Sequence, residues 1–216
     1  MSAAKIIKKI RRNARDYGTA ATVRKILGGL VAFAYESKAY RIYRKKIDPL
    51  VDTGEQPPEP FSLHVLDKND TDYIEQVEEM EEWLAGKIGG MLGRGSLCVL
   101  LLDGDRVAGF NLFSMGDVYM PIVDVTRAFR SHEAWSEQIT VHSDYRGLGL
   151  ATVLRRQAFQ ELGNRGIRKF YGGTVPYNIA NRKLSKKVGF REIADIRYRK
   201  VLGSRNWSVK RVRDEI

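Results

Sequence analysis

Between Gln138 and Ala151 the chain passes from a β-branched apolar run through a glycine-bearing turn into a helix, and few folds accommodate that transition. Gln138-Ile139-Thr140-Val141 reads as a strand, and Gly147-Leu148-Gly149 opens a helix that carries Val153, Leu154 and Phe159 on its apolar side. The first amides of such a helix have no internal acceptor and lie at the positive end of the helix dipole. Glycines at 147 and 149 let the backbone close on a phosphate, so the segment is an anion cradle. Two familiar cradles fail to match. A P-loop would end in Gly-Lys-Ser/Thr, where this chain has Leu150-Ala151-Thr152. A dinucleotide fingerprint would place Gly or Ala at 152 and an acidic residue about twenty positions on; Thr152 and the segment around Gly172–Gly173 supply neither.

The flanking patterns predict a mixed α/β order. After a polar, proline-rich linker over residues 51–60, Phe61–Leu66 reads as a strand and Tyr73–Met91 as one long acidic helix capped by Asp70 or Thr71. Ser96–Asp103 and Arg106–Ser114 are apolar strands joined at Asp103-Gly104-Asp105, a hairpin turn. Residues 115–134 read as irregular. Then come a strand at Trp135–Val141, a helix at Gly147–Gly163, a strand at Lys169–Val175, a short helix at Ala180–Val188, and strands at Arg191–Val201 and Asn206–Val212.

Two separated motifs make residues 61–212 resemble the GNAT acyltransferase superfamily. Arg146-Gly147-Leu148-Gly149-Leu150-Ala151 is similar to that family's Arg/Gln-x-x-Gly-x-Gly/Ala pyrophosphate motif, and Val141-x-x-x-Tyr145-Arg146-Gly147 precedes it in the family's manner. Asn178 stands eleven residues before Gly189-Phe190, the family's second landmark. The resemblance implies a mostly antiparallel central sheet flanked by helices, and an acyl group moved from acetyl-CoA or another acyl-CoA to an amine without a metal. It also implies that Arg146, Gly147, Leu148, Gly149, Leu150 and Ala151 hold the pyrophosphate. A splayed strand pair, Ile139, Thr140 and Val141 opposite Thr174–Pro176, would take the pantetheine arm, with Asn178 nearby. Glu137 falls where the family often keeps its base. The family's usual general acid, a tyrosine, is replaced here by Ser185, which leaves Tyr177 as a substitute by proximity to Asn178.

Other residues divide between structure and site. His64 fits a structural strand histidine, His142 a surface loop, and Cys98 plain core. His132 with Glu133, and the mix of Met115, Tyr119, Met120, Arg127, Phe129 and Arg130, make residues 115–134 the candidate acceptor wall, suited to a partly apolar small-molecule amine with negative charge. With one cysteine and three histidines, neither a disulfide framework nor a structural zinc site is available.

The net charge of +11 is informative once located. Residues 1–47 hold 13 Lys and Arg against Asp16 and Glu36, and the remainder is neutral. Residues 1–50 therefore read as a basic helical extension: one helix on Ile6, Ile7, Ile10 and Ala14, a second from Ala20 towards Lys46. Packing on the domain or on a second subunit, as in a homodimer, is the simplest use. Peripheral contact with an anionic membrane through residues 1–47 is the alternative, at roughly 1 kcal/mol per basic residue; nucleic acid has only the charge in its favour. With no leader pattern and no long apolar run, the expected location is cytoplasmic, with the membrane surface as that alternative.

Overall fold

The structure is a computed structural model that describes residues 35–121 and 123–212. Two units are present among the described residues: Tyr40–Asp195 with residues 210–212, and a smaller one of residues 35–39 and Ile196–Val209.

The larger unit is built on strands β1 (Tyr35–Lys46, from Tyr40 on), β2 (Phe61–Val65), β3 (Leu97–Asp103), β4 (Arg106–Ser114), β7 (Glu133–Val141), β8 (Lys169–Thr174) and the first half of β9 (Arg191–Val201). They lie in the order β9-β1-β8-β7-β4-β3-β2. Neighbours from β1 to β2 pair antiparallel except β7 with β8, which are parallel. That one parallel pair is joined by helix α3 (Leu150–Asn164), as parallel neighbours require a crossover. Helices α3 and α4 (Ile179–Lys187) cover one face, over a core that includes Leu101, Phe113, Leu154, Phe159 and Phe170. Helices α1 (Thr71–Met80) and α2 (Ile88–Gly93) cover the other, over Val77, Leu84, Ile88, Leu100, Phe110 and Leu112. Each fully buried Leu or Phe contributes roughly 1.5–3 kcal/mol, so the strands β3 and β4, buried on both faces and mostly apolar, anchor the unit. In the smaller unit β9 turns at Leu202-Gly203 into β10 (Ser204–Arg211), where Tyr198 and Trp207 stack with centroids 5.7 Å apart. No described helix is long and apolar enough to cross a membrane.

Three sequence expectations are corrected. The helix expected through Lys46 is, over Tyr35–Lys46, the strand β1, paired with β8 from Arg41↔Thr174 to Lys46↔Lys169. Tyr40, Ile42 and Tyr43 fit either period, and tertiary pairing with a buried strand outweighs local preference; the rest of the basic extension, residues 1–34, lies outside the described residues. The long acidic helix breaks at Glu81, whose backbone is extended, with φ −142°. Its carboxylate accepts from Gln138 Nε2 at 2.8 Å and Thr140 Oγ1 at 2.6 Å, while Glu78 accepts from the amides of Gly86, Lys87 and Ile88 and so starts α2. The segment 115–134 contains a hairpin, β5 (Asp117–Met120) with β6 (Val125–Ala128), closed by Tyr119 donating to Asp124 at 2.8 Å.

Candidate active site

The site is set by where β7 and β8 part. They pair only at Glu133↔Lys169, Ala134↔Phe170 and Trp135↔Tyr171, yet β7 runs on to Val141 and β8 to Thr174. Beyond Trp135, one edge of β7 is bonded to β4 and the other faces an opening. The two strands therefore part from Ser136 and Gly172 onward, ahead of Ile139–Val141 and Thr174–Pro176.

At that apex β7 carries a bulge. Leu112 pairs with Gln138 and Phe113 with Ser136, so Glu137 is the extra residue. A bulge re-aims a side chain and reverses which residues face each side. Before it Ser136 points to the α3 side, where Arg155 Nη1 donates to its hydroxyl at 2.9 Å; after it Gln138 and Thr140 point to the α1 side, towards Glu81. Glu137 itself lies half buried, accepting from the Ser114 hydroxyl and facing Tyr40. Burial pushes its pKa above the ordinary carboxylate value, and the Ser114 hydrogen bond partly opposes that. Tyr40, on β1, is nearly buried, and its phenol is pushed up first by burial and then by Glu137. A Cβ on Gly173 would run into the Tyr40 ring, so glycine at 173 makes room for β1 to reach the splay.

At the far end of β7, His142–Arg146 turns into the cradle. Arg146 Nε donates to the Val141 carbonyl at 3.2 Å; Arg106 reaches Asp144 at 3.1 Å; and Tyr145 donates to Asp103 at 2.9 Å, which ties the loop to the β3–β4 hairpin. Gly147 and Gly149 have φ of 86° and 78°, and Gly149 is the N-cap of α3. A Cβ at either would meet nothing within 4 Å, so the glycines are required for φ, and the space before them is open. Thr152 closes the first turn on the Gly149 carbonyl at 2.8 Å, which leaves the amides before it directed towards that space. The cradle thus fits a pyrophosphate. Beside it lies a cleft of about 450 Å³ between α1 and the end of β7, lined by Gln76, Met80, Arg106, Thr140, His142 and Arg146.

The remaining sequence candidates separate. Ser185 is 9 % exposed and lines a small cavity of about 20 Å³ with Arg155, Ser136, Tyr43 and Asn181. Tyr177 is 82 % exposed and turned to solvent. Asn178 caps α4, accepting from the Asn181 amide at 3.0 Å, a structural use. Glu133 is buried against the Tyr171 hydroxyl at 3.1 Å and the Arg130 amide at 3.3 Å; burial raises its pKa, but those hydrogen bonds together with the Arg127 and Lys169 charges leave it below the ordinary value. Arg127, stacked 4.6 Å from both Phe129 and Tyr171, fixes the β5–β6 hairpin beside it. Sequence reading missed Tyr40, Ser114, Glu81 and Arg155. Tyr40 was assigned to a helix; the others become visible only through long-range pairing, although an arginine amid Val153, Leu154 and Phe159 is itself a signal.

The fold is thus a mixed α/β sheet whose one parallel strand pair splays, with an anion cradle at the open end and a half-buried carboxylate at the apex. The comparisons make the assignment specific. The profile of the acetyltransferase (GNAT) family matches residues 58–190, and the chain belongs to that family. Its fold is similar to a tandem GNAT protein from the clavulanic acid biosynthesis pathway (18 % identity, TM-score 0.61, covering 88 % of this chain and 60 % of that one). It is also similar to a GCN5-related N-acetyltransferase-like protein from Streptococcus suis (18 %, 0.55, 82 % and 67 %) and to a GCN5-related N-acetyltransferase from Sphaerobacter thermophilus (16 %, 0.51, 84 % and 56 %). This chain spans less than two thirds of the first and third of these structures. No curated protein matches its sequence.

Proposed function

We propose that this chain is an N-acetyltransferase that moves the acetyl group of acetyl-CoA to a primary amine of a small molecule or sugar, by direct attack in a ternary complex. The observation that carries the reading is the bulge: it sets the Glu137 carboxylate at the apex of a splay whose open end leads to the cradle. In this account the amides of Arg146–Ala151 hold the pyrophosphate, and the free edge of β7 from Ile139 to Val141 binds the pantetheine arm and polarises the thioester carbonyl. Glu137 takes the ammonium proton through water, so that the neutral amine attacks. A base with a raised pKa is better matched to that proton. The acceptor enters on the α1 side, with Tyr40 and the β5–β6 hairpin as its walls.

The test is incubation of the purified chain with acetyl-CoA and a panel of amino sugars, polyamines, amino acids and peptides, reading thiol release and acceptor mass. Acceptor-dependent thiol release with one acetyl group added to a small amine is the expected result. Acetylation of peptides alone would make it a protein or peptide acetyltransferase, and binding without transfer a non-catalytic acyl-CoA-binding module.

The Ser114 hydroxyl holds the Glu137 pKa down. Ser114→Ala therefore shifts the rising limb of kcat/KM against pH to higher pH, because the unprotonated base then needs more alkaline solution. A limb that stays put or moves to lower pH contradicts the assignment of Glu137.

A further inference from the structure

Arg155 is the one arginine of α3 that points into the sheet. It is 4 % exposed, and its guanidinium lies 5.4 Å from the Phe170 ring centroid and 5.8 Å from that of Phe190. Its hydrogen bond goes to a neutral hydroxyl, Ser136 Oγ, and no carboxylate among the described residues pairs with it. Aromatic faces attract a cation but do not neutralise it. Burying a charge without a counter-ion is costly, and here the cost brings the guanidinium pKa down to about 9. A helix facing Leu101, Phe113 and Phe170 would pack more stably with an apolar residue at 155.

The position of the charge indicates its use. Ser136 and Gly172 are the first residues after β7 and β8 cease to pair, and both line the 20 Å³ cavity with Arg155 and Ser185. That space holds about one water-sized group. Arg155 also lies five residues into the helix whose N-terminus forms the cradle, about 7.5 Å along its axis. An acyl-CoA held by its pyrophosphate at that N-terminus and threaded down the splay brings its reactive end to this apex. Glu137 is then on one face of it and Arg155 on the other.

We propose that Arg155 supplies the positive charge that stabilises the departing coenzyme A thiolate, in the place where the Ser185 hydroxyl is too short and too weak an acid to protonate it. The inference rests on the acyl-CoA reading above. Glu137 takes one ammonium proton, the freed amine nitrogen forms its bond to the acetyl carbon and gives up its second proton to solvent, and the carbon–sulfur bond breaks with its electron pair on sulfur. The thiolate is held by the guanidinium across the cavity until it takes a proton from solvent. The charge on sulfur is absent from the ground-state thioester, so the interaction acts on kcat and hardly on KM.

Free coenzyme A makes the test independent of the acceptor. Titrating the thiolate ultraviolet absorbance of coenzyme A bound to the full chain gives the thiol pKa directly. The proposal predicts a value at least about one unit below the free-thiol value near 8.5. In Arg155→Met, which keeps volume and loses charge, that depression disappears while coenzyme A still binds, and kcat falls about 10²–10³-fold, the cost of one lost charge-stabilising donor. Arg155→Lys keeps most of the depression. A bound thiol that titrates at or above the free value in the wild-type chain overturns the proposal, whether or not the methionine variant folds. So does a depression that survives Arg155→Met. Absence of coenzyme A binding altogether would instead fail the acyl-CoA reading itself.

Discussion

Replacing Glu137 by Gln lowers acetyl transfer about 10²–10⁴-fold, the range that a positioned general base contributes, while acetyl-CoA binds as before. The amide is isosteric and still accepts from Ser114, so the bulge and the strand pairing around it survive. The amide cannot take a proton, and the ammonium form of the acceptor then dominates at neutral pH. Two further signatures distinguish the loss of a base from general damage. The residual rate rises with pH without the carboxylate limb, because solvent hydroxide replaces the base. The lost rate also appears in kcat and kcat/KM together, as for an interaction made in the transition state alone. A Glu137→Gln enzyme within a few-fold of wild type would place the proton acceptor elsewhere, and Glu81, half buried at the C-cap of α1 and bonded to Gln138 and Thr140, is the next carboxylate to test.

The second large effect is at the cradle. Gly149 holds φ of 78° with open space before it, so Gly149→Glu acts twice. A side chain in the left-handed region costs about 1–2 kcal/mol, and the new carboxylate sits at the positive end of α3, where the pyrophosphate would bind. A loss near 3 kcal/mol in binding corresponds to a Kd about 100-fold weaker. Gly149→Ala carries the strain without the charge and weakens binding far less. Equal losses in the two variants, with folding intact by circular dichroism, would mean that the loop conformation matters and that no anion is held there.

The sequence made the cradle and the element order from Phe61 onward legible because both are local. The end of a strand, a positive-φ turn and the start of a helix fall within fourteen consecutive residues, Gln138–Ala151, and the helix's amphipathic pattern follows directly. Glu137 was accessible through its place on the same strand, but the bulge that aims it was not, since a bulge is defined by a partner strand, here β4. Tyr40 was misplaced for the same reason. Its segment satisfies helical spacing by Tyr40 and Tyr43 and strand spacing by Tyr40 and Ile42, and only pairing with β8 decides. Once it is a strand, Tyr40 falls on the Glu137 face and Tyr43 on the Arg155 face. The break at Glu81 was hidden because Glu, Trp, Leu and Ala are compatible with a helix. What stops the helix is a carboxylate drawn to Gln138 and Thr140, more than fifty residues away in sequence.

The central claim is that the splay between β7 and β8, with the cradle at its open end, receives an acyl-CoA. Isothermal titration of the folded chain with acetyl-CoA, longer acyl-CoAs and coenzyme A tests it most directly. The account predicts one site per chain with micromolar affinity and a preference among acyl groups that the apex enforces. No heat of binding from well-folded protein with any of these ligands would contradict it, and leave the fold put to another use.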